Sequence, residues 1–273
     1  MKYFITSLLV IIAASAISQE NRLVKLWETD TIVDLPESVL LDKEENILYA
    51  SEMGVNPNDK DGTGGIAKIN LDGKVIQSNW ISELNSPKGL GRYKNKLYAA
   101  DLTDVVVIDI PKGKVKKVIP IEGAKFLNDI TITSKGVIFV SDSKTRKIHM
   151  IKNGKPSVYL MDIKGVNGLK SIGTDLYIAG GKTIWKANAK KELTKVIELP
   201  NGIDGVEPVG NGDFLYSSWA GYIYYGKQDG TYELLLDTHE EKKNSADIDF
   251  DPESGILYVP TFWKKTVAAY QLK

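Results

Sequence analysis

The chain of 273 residues has no cysteine and only two histidines. Without thiols it forms no disulfide, offers no thiolate to a metal and carries no cysteine nucleophile, so the fold rests on its core alone. A bacterial lipoprotein anchor, which needs a cysteine after the signal, is excluded too. Neither sign of charge is in excess. Lysine plus arginine and aspartate plus glutamate both number 35, leaving no electrostatic footprint for nucleic acid or an anionic membrane. No Gly-x-x-x-x-Gly-Lys-Ser/Thr segment cradles a phosphate, and no Gly-x-Ser-x-Gly elbow presents a serine nucleophile. No stretch sustains a helical period.

What is present begins with a lysine, Lys2, followed by an apolar run through Ile12 and the small residues Ala13, Ala14, Ser15 and Ala16. That order is the pattern of a secretory signal, and the run is short for a membrane span. Residues 1–18 are expected to be the signal, cut near Ala16 or Ser18, with 19–273 forming one domain. The expected location is secreted or periplasmic, with no membrane anchor.

Beyond this point the chain is written in short β-type runs such as Ile47-Leu48-Tyr49-Ala50, Val137-Ile138-Phe139-Val140 and Ile256-Leu257-Tyr258-Val259. Turn pairs such as Asp72-Gly73, Asn153-Gly154 and Asp229-Gly230 separate them. The runs recur as a unit whose openings read Pro36-Glu37-Ser38-Val39, Pro87-Lys88-Gly89-Leu90, Leu127-Asn128-Asp129-Ile130, Val166-Asn167-Gly168-Leu169, Ile203-Asp204-Gly205-Val206 and Ala246-Asp247-Ile248-Asp249. A unit of roughly 40 residues with four short strands is a propeller blade. The expected fold is therefore all-β, a six-bladed β-propeller. Its last blade lacks an outer strand, which Leu23-Val24-Lys25-Leu26-Trp27 is expected to supply, closing the ring and covering an aggregation-prone edge.

In a propeller the innermost strands converge on the central channel. One rim should then present Glu37, Lys88, Asn128, Asn167, Asp204 and Asp247. Glu37, Asn128, Asn167 and Asp204 make an oxygen-only ligand set with two negative charges, suited to calcium or magnesium. Asn167-Gly168 and Asp204-Gly205 also fit ordinary turns, whereas Glu37 and Asn128 run directly into strand residues. Lys88 would repel a cation or meet an anionic group of a ligand.

These openings resemble the gluconolactonase and regucalcin (senescence marker protein) family, with paraoxonases as more distant relatives. That family's metal set is a glutamate opening the first blade, asparagines opening the third and fourth, and an aspartate opening the fifth, which fall here on Glu37, Asn128, Asn167 and Asp204. The resemblance implies one divalent metal, calcium first with zinc or magnesium as alternatives, and hydrolysis of lactones or related small esters. Asp204 is the expected general base, with Asp129 and Asp247 behind it. The family's sugar-lactone hydrolases carry an arginine two residues before the third-blade asparagine, where this chain has Phe126.

Substrate contacts are expected from Lys88 and Phe126, and from Trp219 and Trp263, which follow strand ends of the late blades. His149, within Lys147-Ile148-His149-Met150-Ile151, and His239, in a charged loop, read as structural or solvated. The insert Asn56-Pro57-Asn58-Asp59-Lys60-Asp61-Gly62 echoes part of an EF-hand loop but lacks its closing glutamate, and reads as a surface loop. Two functions stay open: a metal-dependent hydrolase of a small molecule, or a non-catalytic exported module in which calcium staples the blade openings.

Overall fold

Runs of β-branched and aromatic residues ended by turn pairs become strands, and the turns set how they pair. Asn153 and Gly154 both take positive φ, 53° and 73°. That is the twist a two-residue hairpin needs, and it joins two antiparallel strands of the third blade. In the computed structural model, which describes residues 22–273, this grammar repeats around a ring of six four-stranded antiparallel sheets. The expected signal segment lies outside the described residues.

Strand β1 (Leu23–Glu28) precedes the first complete blade. Blade 1 is β2 (Pro36–Asp42), β3 (Ile47–Glu52), β4 (Gly64–Asn70) and β5 (Val75–Leu84). Blade 2 is β6 (Pro87–Tyr93), β7 (Lys96–Asp101), β8 (Asp104–Asp109) and β9 (Lys114–Pro120). Blade 3 is β10 (Leu127–Ile132), β11 (Ile138–Asp142), β12 (Lys147–Lys152) and β13 (Lys155–Leu160). Blade 4 is β14 (Val166–Ile172), β15 (Asp175–Gly180), β16 (Thr183–Ala187) and β17 (Leu193–Glu198). Blade 5 is β18 (Val206–Pro208), β19 (Phe214–Ser218), β20 (Tyr222–Gly226) and β21 (Tyr232–Asp237). Blade 6 is β22 (Asp249–Asp251), β23 (Ile256–Pro260) and β24 (Val267–Leu272).

The expected closure is present. β1 pairs antiparallel with β24, Leu23 opposite Leu272 and Glu28 opposite Ala268, and completes blade 6. The Trp27 indole then donates to the Leu71 carbonyl at 2.8 Å, tying the closing strand to blade 1.

The core is divided among the blade interfaces. Tyr49, Leu90 and Val106 belong to the cluster between blades 1 and 2, while Ala100, Ile130 and Val140 belong to that between blades 2 and 3. Leu48, Ala67 and Tyr258 close the circle between blades 6 and 1. A fully buried valine, leucine or isoleucine in these clusters contributes about 1.5–3 kcal/mol, so every blade depends on its two neighbours.

On the channel-mouth face, acidic residues at the ends of second strands hold the loops between blades. Asp101 accepts from the backbone amides of Asn85 and Ser86, and Asp142 from those of Lys125 and Phe126. The insert between β3 and β4 is an exposed loop braced within itself, Asp61 accepting from Thr63 and Asn56 donating to Asp59.

Candidate metal centre at the channel mouth

The inner strands of blades 1 to 4 depart from regular pairing at the marker positions. The ladder breaks between Pro36 and Val39, Pro87 and Leu90, Leu127 and Ile130, and Val166 and Leu169. Such irregularities re-aim side chains at the ends of sheets. In blades 1, 3 and 5 a buried serine of the second strand holds the residue after the marker. Ser51 accepts from the Ser38 amide, Ser141 from the Asp129 amide and Ser217 from the Gly205 amide, at 2.9, 2.9 and 2.7 Å. These serines fix the backbone beside Glu37, Asn128 and Asp204. The sequence shows them as small residues ending the second strands, without showing what they hold.

Glu37, Lys88, Asn128 and Asp204 are buried, and Asn167 and Asp247 are half-buried. The Asn167 side-chain amide donates to Asp204 at 2.5 Å, and that of Asn128 donates to the Ser143 hydroxyl at 3.1 Å. A cavity of about 330 Å³ opens at the mouth, lined by Asn128, Ser143, Asn167, Asp204 and Trp219 among others. Glu37 does not line it. One Glu37 carboxylate oxygen, Oε2, is buried without a hydrogen-bond partner. Gly168 is required by proximity rather than by turn geometry, since a Cβ there would stand 1.9 Å from the Asp204 carbonyl oxygen.

The remaining sites sort by burial. The Lys88 ammonium donates to the Ser86 carbonyl and hydroxyl at 3.0 and 3.1 Å and lies 4.3 Å above the Phe126 ring. Trp263 does not join Trp219 around the cavity. The short 3₁₀ turn Phe262–Lys264 leaves it 56% exposed, with its ring edge-on to Phe262. Asp129 spends both carboxylate oxygens on backbone amides, those of Ile130 and Leu169, within the channel. His149 is sealed inside blade 3, 3.9 Å from Asp142, and His239 is exposed and paired with Asp237 and Glu240. Neither histidine lines the mouth cavity.

Electrostatics at the rim are repulsive. Burial first, then the charges of Asp204 and Asp247, push the Glu37 carboxyl well above the usual range, against the pull of Lys88. Burial and Asp247 push Asp204 up to about 7, opposed by the hydrogen bond from Asn167. Burial raises Asp247 to about 6, although Ser38 and Lys170 work the other way. Burial draws the Lys88 ammonium down to about 8, while Glu37 and Asp101 hold it up.

Among the described residues no group of three or more histidine, cysteine, aspartate or glutamate side chains is spaced to hold a metal ion. An ion at the rim therefore has to draw on the asparagine carbonyls. The donor chemistry fits a hard divalent cation: oxygen atoms only, an unpartnered buried carboxylate oxygen, and carboxylates whose mutual repulsion a cation relieves.

No family model matches the chain, and no curated protein matches it in sequence. Among solved structures it is similar to virginiamycin B lyase from Staphylococcus aureus. The selenomethionine-substituted enzyme matches with a TM-score of 0.67 at 15% identity, covering 92% of this chain and 99% of that one. A catalytically inactive histidine-to-alanine form with quinupristin matches at 0.64 and 12%, covering 92% and 98%. At these identities the likeness is one of fold, and the protein is a six-bladed β-propeller. No sequence match supports the resemblance to the gluconolactonase and regucalcin family.

Proposed function

We propose that this protein is a metal-dependent hydrolase of lactones or related small esters, working at the channel mouth and exported from the cell. One observation carries the reading: three of the four candidate oxygen ligands, Asn128, Asn167 and Asp204, line one cavity together with Trp219. The fourth, Glu37, adds the unpartnered carboxylate oxygen. These four residues would hold the ion, calcium before zinc or magnesium. When bound, a divalent ion supplies Lewis-acid polarisation of an ester carbonyl and charge for the oxyanion that follows.

The chain's own residues divide the other tasks. Asn167 orients Asp204 through its 2.5 Å hydrogen bond, and Asp204 is the carboxylate placed to take a proton from water. Trp219 offers an apolar wall to the substrate's carbon frame. Lys88, backed by Phe126, biases the rim toward a substrate or product carrying negative charge.

The lyase activity of the structural neighbour is not carried over. That enzyme's inactive form lacks a histidine, and both histidines of this chain lie away from the cavity. The test is a pH-stat screen of aliphatic and sugar lactones with and without calcium, with Asp204→Asn as control. Calcium-dependent turnover lost in the variant supports the hydrolase. Calcium binding with no turnover of any lactone overturns it in favour of a binding module.

A further inference from the structure

On the face opposite the channel mouth, blades 2 and 3 part to leave a groove of about 450 Å³. We propose that it is a second ligand site, for a small organic anion bearing two or more phosphate, sulfate or carboxylate groups on an apolar or ring-shaped frame.

Four lysines line the groove, Lys96, Lys116, Lys117 and Lys135, and no aspartate or glutamate does. None of the four makes an ion pair or a side-chain hydrogen bond among the described residues. Asp109, opposite Lys96 in the ladder, has its carboxylate 3.9 Å from Lys112 instead. Four like charges around one concavity in a chain of zero net charge repel one another, and an anion relieves that repulsion.

The outer strand explains how two consecutive lysines reach one groove. In blades 3, 4 and 5 the outermost strand carries an extra residue opposite the middle of the third strand: Tyr159, Val196 and Leu235. All three are apolar or aromatic and pack against the core. In blade 2 the bulge lies further along, between Val107 and Ile108, and the extra residue is the exposed Lys116. A bulge breaks the alternation of faces, so Lys116 and Lys117 both line the groove. Across it the Lys117 ammonium comes within 3.6 Å of where a Cβ on Gly154 would stand, in the β12–β13 turn of blade 3.

The floor is apolar and aromatic. Tyr98, Val107 and Ile119 come from blade 2, and Ile138 and Ile151 from blade 3. The Tyr93 ring packs on Gly136, where a Cβ would stand 2.6 Å from it. Inorganic anions need no such floor. A hydrocarbon or sugar frame carrying the charges uses both parts.

The test is calorimetric titration of the full chain with fructose 1,6-bisphosphate, inorganic pyrophosphate and neutral fructose, at low and at high salt. Saturable binding of the bisphosphate, tighter than pyrophosphate, is expected, weakening several-fold as salt rises. Lys96→Gln with Lys117→Gln, and separately Lys135→Gln, should weaken it about tenfold or more while leaving the melting temperature and calcium binding unchanged. No binding of either anion at millimolar concentration overturns the proposal, as does equal affinity in the variants. Bisphosphate binding no tighter than pyrophosphate overturns the part assigned to the floor.

Discussion

The side-chain amide of Asn167, on the innermost strand of blade 4, donates a 2.5 Å hydrogen bond to Asp204, which opens blade 5. The bond joins two candidate ligands across a blade boundary. Beside it the Asp204 backbone passes so close to Gly168 that a Cβ there would stand 1.9 Å from the carbonyl oxygen. Gly168→Ala is therefore expected to cost about 1–3 kcal/mol by overpacking and to weaken calcium binding with it. Urea unfolding with and without calcium measures both. A variant as stable as the parent would show that the approach is not needed.

The serines behind the rim give a second prediction. Ser217 accepts from the Gly205 amide at 2.7 Å and donates to the Ala246 carbonyl at 2.6 Å, fully buried. Ser217→Ala leaves both backbone groups short of a partner, and about 1–3 kcal/mol of stability should be lost. Ala100 and Ala179 occupy the matching places in blades 2 and 4. Converting Ala179 to serine should give no comparable gain, which the same unfolding curves would reveal.

Stability should depend on pH in a direction set by the rim. Asp204 and Asp247 are raised to about 7 and about 6, so the folded chain holds protons that the unfolded chain has released. Their contribution is complete below about pH 4 and is lost as pH rises through 6 and 7. Glu28 and Asp251 run the other way. Burial opposes their ionisation, but hydrogen bonds from lysines outweigh it and hold both at about 2, so their contribution falls away only in acid. The metal-free melting temperature should accordingly decline from pH 5 to pH 7.5, and the increment given by calcium should grow over the same interval. A calcium increment larger at pH 5 would contradict the placement of the ion among these carboxylates.

Among the described residues Lys88 is the one cation whose charge bears on Glu37, and it is almost wholly buried. Lys88→Met removes a like charge from the neighbourhood of the metal. Calcium should bind more tightly, by about fivefold if about 1 kcal/mol of repulsion is lifted. The metal-free protein should be less stable, because Glu37 loses its nearest compensation. Titration calorimetry and a melt separate the two effects, and weaker calcium binding would place Lys88 on the side of the ligands.

The parts of this fold that were legible are those written locally. Strand runs, turn pairs and the recurring openings define six blades, and the strand read at Leu23 to Trp27 does close the ring on β24. What escaped depends on register. Lys170 and Glu207 form a part-buried ion pair in the channel, 37 residues apart on consecutive blades, with no local signal at either end. Ser141 and Ser217 look like any small strand residue until the pairing of the inner strands sets them behind Asp129 and Gly205. Trp263, which the strand ends place with Trp219, stands exposed on the 3₁₀ turn Phe262–Lys264 and does not line the cavity.

Glu37, Asn128, Asn167 and Asp204 are proposed to hold one divalent ion. Calcium titration of the metal-stripped protein by calorimetry, beside Asp204→Asn and Glu37→Gln, tests it most directly. The expected result is one ion per chain, with affinity reduced about tenfold or more in each variant, and a melting temperature that rises with calcium in the parent. Absence of binding by the parent, or equal affinity in both variants, would contradict it.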